Sequence, residues 1–183
     1  MGTYFDNPGP DNTDNTLRIA FSEATKREIE YILLASTTGE TAVKALEYYK
    51  KSNVQLIVVT HNYGFVKPGE QQFSQSTREQ LFKAGVIVHT GTMVLRNQGA
   101  AIRKKFGYSQ EELINATLRM IAQGVKVGVE MAAMTCDAGL IPPQDVITVA
   151  GSSKGADTAL VIAANSSNRF FDIRVREILA KPR

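Results

Sequence analysis

The residues best suited to chemistry lie in short polar clusters, each preceded by an apolar run. Leu33-Leu34-Ala35 ends in Ser36-Thr37-Thr38-Gly39-Glu40-Thr41, and Val58-Val59 in Thr60-His61-Asn62. Val86-Ile87-Val88 ends in His89-Thr90-Gly91-Thr92, and Ile147-Thr148-Val149-Ala150 in Gly151-Ser152-Ser153-Lys154-Gly155. Hydroxyls, backbone amides bared by glycine and two imidazoles suit a polar or anionic small molecule. Carboxylates are few in these clusters and cysteine is absent, which argues against a tightly held metal. If the four runs are parallel strands, all four clusters meet on one edge of a sheet, beyond the carboxyl ends where open α/β sheets take their ligands.

The first cluster falls where a strand turns into a helix. Free N–H groups and the positive end of the helix dipole favour an anion there, and Gly39 would let a phosphate approach the backbone with no Cβ in the way. Thr37 with Glu40 also reads as a capping box, which satisfies the same donors without a ligand; both readings stand. The last cluster runs on through Ala156-Asp157-Thr158. It has the composition of a phosphate-binding loop but lacks the Gly-x-x-x-x-Gly-Lys-Ser/Thr spacing and leads into a strand. A glycine hairpin explains its two glycines, and Lys154 is available to neutralise a phosphate. The candidate ligand contacts are therefore Ser36 to Thr41, Thr60, His61, Thr90, Gly91, Thr92, Gly151, Ser152, Ser153, Gly155, Asp157 and Thr158. His61 and His89, the only two histidines, are the candidates for general acid/base work. Their spacing enforces no metal site, so hydrogen bonding to a ligand or a loop carbonyl is the expected role. Cys136, flanked by Met131 to Met134, reads as core packing. Glu130 and Asp137, seven residues apart on one helix face, read as exposed charge and receive no role.

The elements that must position these clusters follow from periodicity. Leu17, Ala20, Phe21 and Ala24 recur at helical spacing, and Thr13 or Asp14 could cap that helix. Tyr31–Ala35 reads as a strand buried on both faces, and Ala42, Val43, Leu46 and Tyr49 mark a helix. Val54–Thr60 is the next buried strand, which completes a right-handed βαβ unit. Residues 63–73, with Gly64, Pro68, Gly69 and two glutamines, form a long loop of the kind often used as a lid or binding loop. A capping box at Ser76–Glu79 opens a helix that stops at Gly85, and Val86–Val88 is the third strand. A stretch without clear periodicity follows. A second box at Ser109–Glu112 opens a helix expected to end at Gly124, and a further helix runs through Val129 to Cys136. Val146–Ala150 and Leu160–Ile162 are joined by a turn too short for a parallel crossover and so pair antiparallel. Ile173–Lys181 reads as an edge-type strand. The fold class is α/β: a three-layer α/β/α arrangement with a mostly parallel mixed sheet and an antiparallel edge strand. Residues 1–183 form one α/β domain, with 1–15 as a polar N-terminal extension.

Composition narrows the partners. The net charge is +3, but the basic residues are scattered except for Arg103-Lys104-Lys105 and a C-terminal group. Neither group is interleaved with aromatics, so no nucleic-acid partner is expected. A single cysteine excludes an intrachain disulfide and fits a reducing compartment. No apolar stretch has the length of a signal peptide core or a membrane span. A cytoplasmic protein with no membrane partner is the expectation.

The stretches Ser36–Ala42, Val59-Thr60-His61, Asp137–Pro142, Gly155–Ile162, Ala164-Asn165-Ser166 and Phe170-Phe171-Asp172 resemble the pyruvate kinase alpha/beta domain proteins, relatives of the C-terminal domain of pyruvate kinase. The resemblance implies a pyruvate kinase C-terminal domain-like fold with one antiparallel edge strand. It also implies a site for a phosphate-bearing ligand, with flavin mononucleotide (FMN) as the suggested cofactor and Tyr63, Phe65 or a methionine against its ring. Pyruvate kinase activity is not implied, because that chemistry belongs to a barrel domain. Three readings result, in order: a protein that binds a small-molecule phosphate ligand; an enzyme in the same pocket, by flavin or by His61 or His89; and a regulatory or assembly module, since the related domain packs against other subunits, with homo-oligomerisation as its corollary. Replacing Gly39 is expected to abolish phosphate binding and leave the fold intact.

Overall fold

A computed structural model describes residues 2–183. Seven strands form one sheet in the order β1-β7-β6-β5-β2-β3-β4. The parallel half is β2 (Tyr31–Ala35), β3 (Gln55–Val59), β4 (Ile87–His89) and β5 (Asp145–Ala150). β6 (Thr158–Ala163) runs antiparallel to β5, in register Ala150 with Thr158, as the short connection requires. β7 (Arg174–Pro182) is antiparallel to β6, and β1 (Thr3–Phe5) lies parallel to β7. The polar N-terminal stretch is thus built into the sheet, a role that three residues amid Asn, Asp and Pro do not signal.

The strands are near-continuous apolar runs because both faces are covered. Ile32 and Leu34 face α1 (Thr13–Lys26), α2 (Glu40–Tyr49) and α3 (Gln75–Lys83); Leu33, between them, faces α6 (Gln123–Asp137). All three are fully buried, each contributing about 1.5–3 kcal/mol of transfer free energy. The cap of α1 is not a side chain: Thr13 Oγ1 accepts the Ala156 N–H instead, at 3.0 Å. Ser74, rather than the predicted box at Ser76, caps α3 by accepting the Thr77 N–H.

Two further differences lie between β4 and β5. The stretch without periodicity forms α4 (Asn97–Phe106), which buries only Gly99 and so carries no apolar stripe. The helix opened by Ser109 is α5 (Gln110–Arg119); it stops before Gly124, because extended Ala122 breaks the chain direction and α6 begins. Gly124 is inside α6, where a Cβ would collide with Thr158, and at Gly128 one would lie 2.5 Å from Thr148 Oγ1. These glycines bring α6 close over β5 and β6, so Gly124 is a packing residue and not a stop. No helix among the described residues is long and apolar enough to cross a membrane.

Candidate functional site

The carboxyl ends of β2, β3 and β5 open into a cavity of about 560 Å³, within the range of small-molecule sites. Of the sequence-predicted residues, Ser36, Thr37, Thr38, Glu40, Thr41, Thr60, His61, Gly151, Ser152, Ser153 and Gly155 line it, with Lys154. Gly39, His89, Thr90, Gly91, Thr92, Asp157 and Thr158 do not.

Gly39 serves another purpose than the one read from the sequence. It caps α2 with φ +100°, a left-handed conformation that glycine alone adopts freely. A Cβ there would meet Thr77 Cγ2 at 2.5 Å and the Phe73 ring. The residue therefore faces α3, and its substitution strains the fold itself. The expected Thr37–Glu40 capping box does not form: the N-cap position of α2 is Gly39, which has no side chain to offer. Ser36 Oγ accepts the Ala42 N–H at 3.4 Å, and Val43 is the first amide bonded to the helix turn. Among the described residues the amides of Glu40 and Thr41 have no acceptor, so the start of α2 presents unfilled donors.

The 151–155 loop on the same cavity is shaped from beneath. Asp157 is fully buried and accepts three hydrogen bonds: from the Gly9 N–H (3.0 Å), the Ser152 N–H (3.1 Å) and the Thr158 hydroxyl (2.8 Å). A carboxylate so surrounded is a brace, so Asp157 and Thr158 hold the loop in place from outside the cavity. Thr90 is likewise removed from the cavity: its hydroxyl meets Thr60 Oγ1 at 2.7 Å and accepts from Arg78 at 2.9 Å.

The two histidines separate. His61 lines the cavity, stacks on Phe65 with ring centroids 3.8 Å apart, and shares a hydrogen bond with Gln72 Oε1 at 3.2 Å. Phe65 and Gln72 belong to the 63–73 loop, which has no regular element, as expected. Arg96 lies over the Phe65 ring, 5.1 Å from its centroid. Burial pushes the His61 pKa below its ordinary value, so the imidazole is neutral near pH 7. His89 is pushed the same way by burial and is packed on Gly91.

The remaining wall was not legible beforehand. Lys126 and Glu130, with side chains 2% exposed, form an ion pair one turn apart on α6, and both line the cavity. Glu130 also accepts the Leu95 N–H through Oε1 at 2.8 Å, and Asn115 Nδ2 donates to the Leu95 carbonyl at 2.9 Å. Glu130 is therefore no exposed charge but a buried anchor for the chain entering α4. Burial lowers the Lys126 pKa, opposed by Glu130 and assisted by Arg119 and Arg96. Arg96 and Arg119 complete this wall, and neither meets a carboxylate among the described residues. Opposite charges four residues apart inside the apolar run Val125–Met134 were the available signal for the pair. The arginines, at the two ends of the α4–α5 hairpin, offered none. Cys136 is held as a thiol, its pKa pushed up by burial to about 11.

An open, mostly parallel sheet covered by helices on both faces, with a polar crevice at its carboxyl edge, makes this an α/β protein. More particularly, residues 14–162 match the pyruvate kinase alpha/beta domain, and the chain belongs to that family. It is similar to two crystal structures of pyruvate kinase from Cryptosporidium parvum, each 15% identical with a TM-score of 0.43. The matches cover 81% and 84% of this chain and 22% of each of theirs. The chain thus spans about a fifth of the length of those enzymes.

Proposed function

We propose that the chain binds a phosphate-bearing small molecule in this cavity, with the phosphate at the start of α2. The observation that carries the reading is the pair of unfilled amides at Glu40 and Thr41, because a helix N-terminus with free donors is a ready anion site. Charge supports it: Lys154, Arg96, Arg119 and Lys126 line the same cavity, against the carboxylates of Glu40 and Glu130. Titration of the purified chain with inorganic phosphate is the test. Saturable binding that weakens in Lys154→Ala is expected; no binding at millimolar phosphate overturns the reading.

Flavin mononucleotide meets the phosphate half of this requirement. Its ring needs a flat apolar slot, and Phe65, the only phenyl ring on the cavity wall, already carries His61; Met93, Met131 and Met134 would have to serve. A phosphate ester without a flavin ring therefore ranks first. A visible absorbance spectrum separates the two, since a yellow preparation that releases flavin on denaturation reverses that order. Acid/base catalysis on the bound ligand is the second reading, favoured by one observation: a neutral imidazole, His61, on the cavity wall.

A further inference from the structure

The wall formed by Lys126, Arg119 and Arg96 has more donors than the protein uses. An ammonium carries three N–H groups, yet buried Lys126 has a single acceptor, Glu130. Buried polar groups are normally satisfied, and this one lines a cavity. Arg119 donates through Nε to Gln123 Oε1 at 2.8 Å, and its two terminal nitrogens have no partner among the described residues. They form an open fork of the geometry that takes a carboxylate with two parallel hydrogen bonds. This wall comes from α5, α6 and the turn before α4, whereas the start of α2 and the 151–155 loop make the other side of the cavity.

We propose that the cavity holds a two-ended anion, a phosphorylated carboxylic acid, with its phosphate at the start of α2 and its carboxylate on the Arg119 fork and the spare N–H groups of Lys126. The inference rests on the phosphate reading above and adds the chemistry of the ligand's other end. A carboxylate suits this wall better than a second phosphate. Glu130 cancels the charge of Lys126, and of the two arginines that keep theirs Arg96 is turned to the Phe65 ring, so one guanidinium fork, that of Arg119, is left open for the two oxygens of a carboxylate. A dianion beside Glu130 would meet repulsion that a monoanion largely avoids.

The test titrates the full chain, and its Arg119→Gln variant, with four probes: inorganic phosphate, glycerol 3-phosphate, 3-phosphoglycerate and 1,3-propanediol bisphosphate. Arg119 is half-buried and makes no ion pair, so the variant keeps its fold, which an unchanged melting temperature verifies. The expected result is that 3-phosphoglycerate binds about tenfold or more tightly than glycerol 3-phosphate, a gain of one charge-assisted hydrogen-bonded pair. Arg119→Gln removes that preference, and its loss of affinity for 3-phosphoglycerate is several-fold larger than the small loss for inorganic phosphate that follows from one cavity charge fewer. Equal affinity for the two three-carbon probes, or equal losses for all probes in the variant, overturns the carboxylate end while the phosphate reading survives. A bisphosphate that binds tightest, with its preference dependent on Arg119, overturns the carboxylate in favour of a second phosphate. Failure of every probe to bind removes both this proposal and the reading beneath it.

Discussion

The two sides of the cavity are built in opposite ways. On one, the start of α2 and the 151–155 loop offer backbone amides and small hydroxyls, and their shape is enforced by residues that never reach the cavity, Gly39 and Asp157. On the other, long side chains from α5, α6 and the turn before α4 converge, and a buried ion pair on α6 ties down the Leu95 amide next to Arg96. The first is local: a strand end, a glycine and a helix start are contiguous in the chain. The second exists only once three helices have packed. One side is therefore expected to tolerate side-chain changes at its rim and fail when its backbone is disturbed, and the other to do the reverse.

The largest effect should come from the helical side. Lys126→Ala leaves the Glu130 carboxylate buried without its partner, at a cost of about 3–5 kcal/mol, measured as a lower urea midpoint. A paired Lys126→Met, Glu130→Leu variant should recover most of that loss; if it does not, the pair also secures Leu95 by a bond that the apolar pair cannot replace. On the loop side, Gly39→Ala should destabilise by about 1–3 kcal/mol through its left-handed backbone alone, with further loss from the clash on Thr77. An unchanged melting temperature in that variant would break the assignment of Gly39 to packing. Asp157→Asn should cost about 1–3 kcal/mol through weakened acceptance from Gly9 and Ser152. Its second signature is faster hydrogen exchange at Ser152 with the amides of α6 unaffected; exchange that rises equally in both would erase the distinction between the two sides.

A smaller effect concerns pH. Burial depresses the pKa of both His61 and His89, so the unfolded chain takes up protons more readily than the folded one. Their contribution to stability is fully present above the ordinary value of 6.5. It is lost as the pH falls from there through the lower folded values. Stability against urea should fall on that interval and fall less in His61→Asn. The smallest expected change is chemical: with its thiol held protonated, Cys136 should react with iodoacetamide far more slowly at pH 8 than after denaturation.

The same contrast explains what could be read from the sequence. The strands at 31–35, 54–60, 86–88 and 146–150 were legible because burial on both faces leaves uninterrupted apolar runs between polar flanks. The meeting of Ser36, Thr60, His61 and Gly151 at one edge followed from that alone. α4 was not legible, because a helix that buries one glycine has no stripe to betray it. Gly124 and Gly39 were misread for a related reason: a glycine announces freedom of backbone, but not whether it ends a helix, admits another element or admits a ligand. Arg96 and Arg119 join the site through a helical hairpin whose placement no local pattern records, and Glu130 could be told from surface charge only by the lysine one turn before it.

The pairing of β1 with β7 has a mechanical consequence. The two strands are parallel neighbours, Thr3 against Ala180 and Phe5 against Pro182, and the Arg183 amide bonds to the Phe5 carbonyl at 2.9 Å. A tension applied between residues 3 and 182 therefore pulls the strands lengthwise past each other, loading their cross-strand bonds together in shear rather than unzipping them one by one. Such a clamp shares the load and yields abruptly. It sits beside the segment whose Gly9 braces Asp157, so its rupture would release the support of the 151–155 loop before the parallel strands behind the cavity felt the strain.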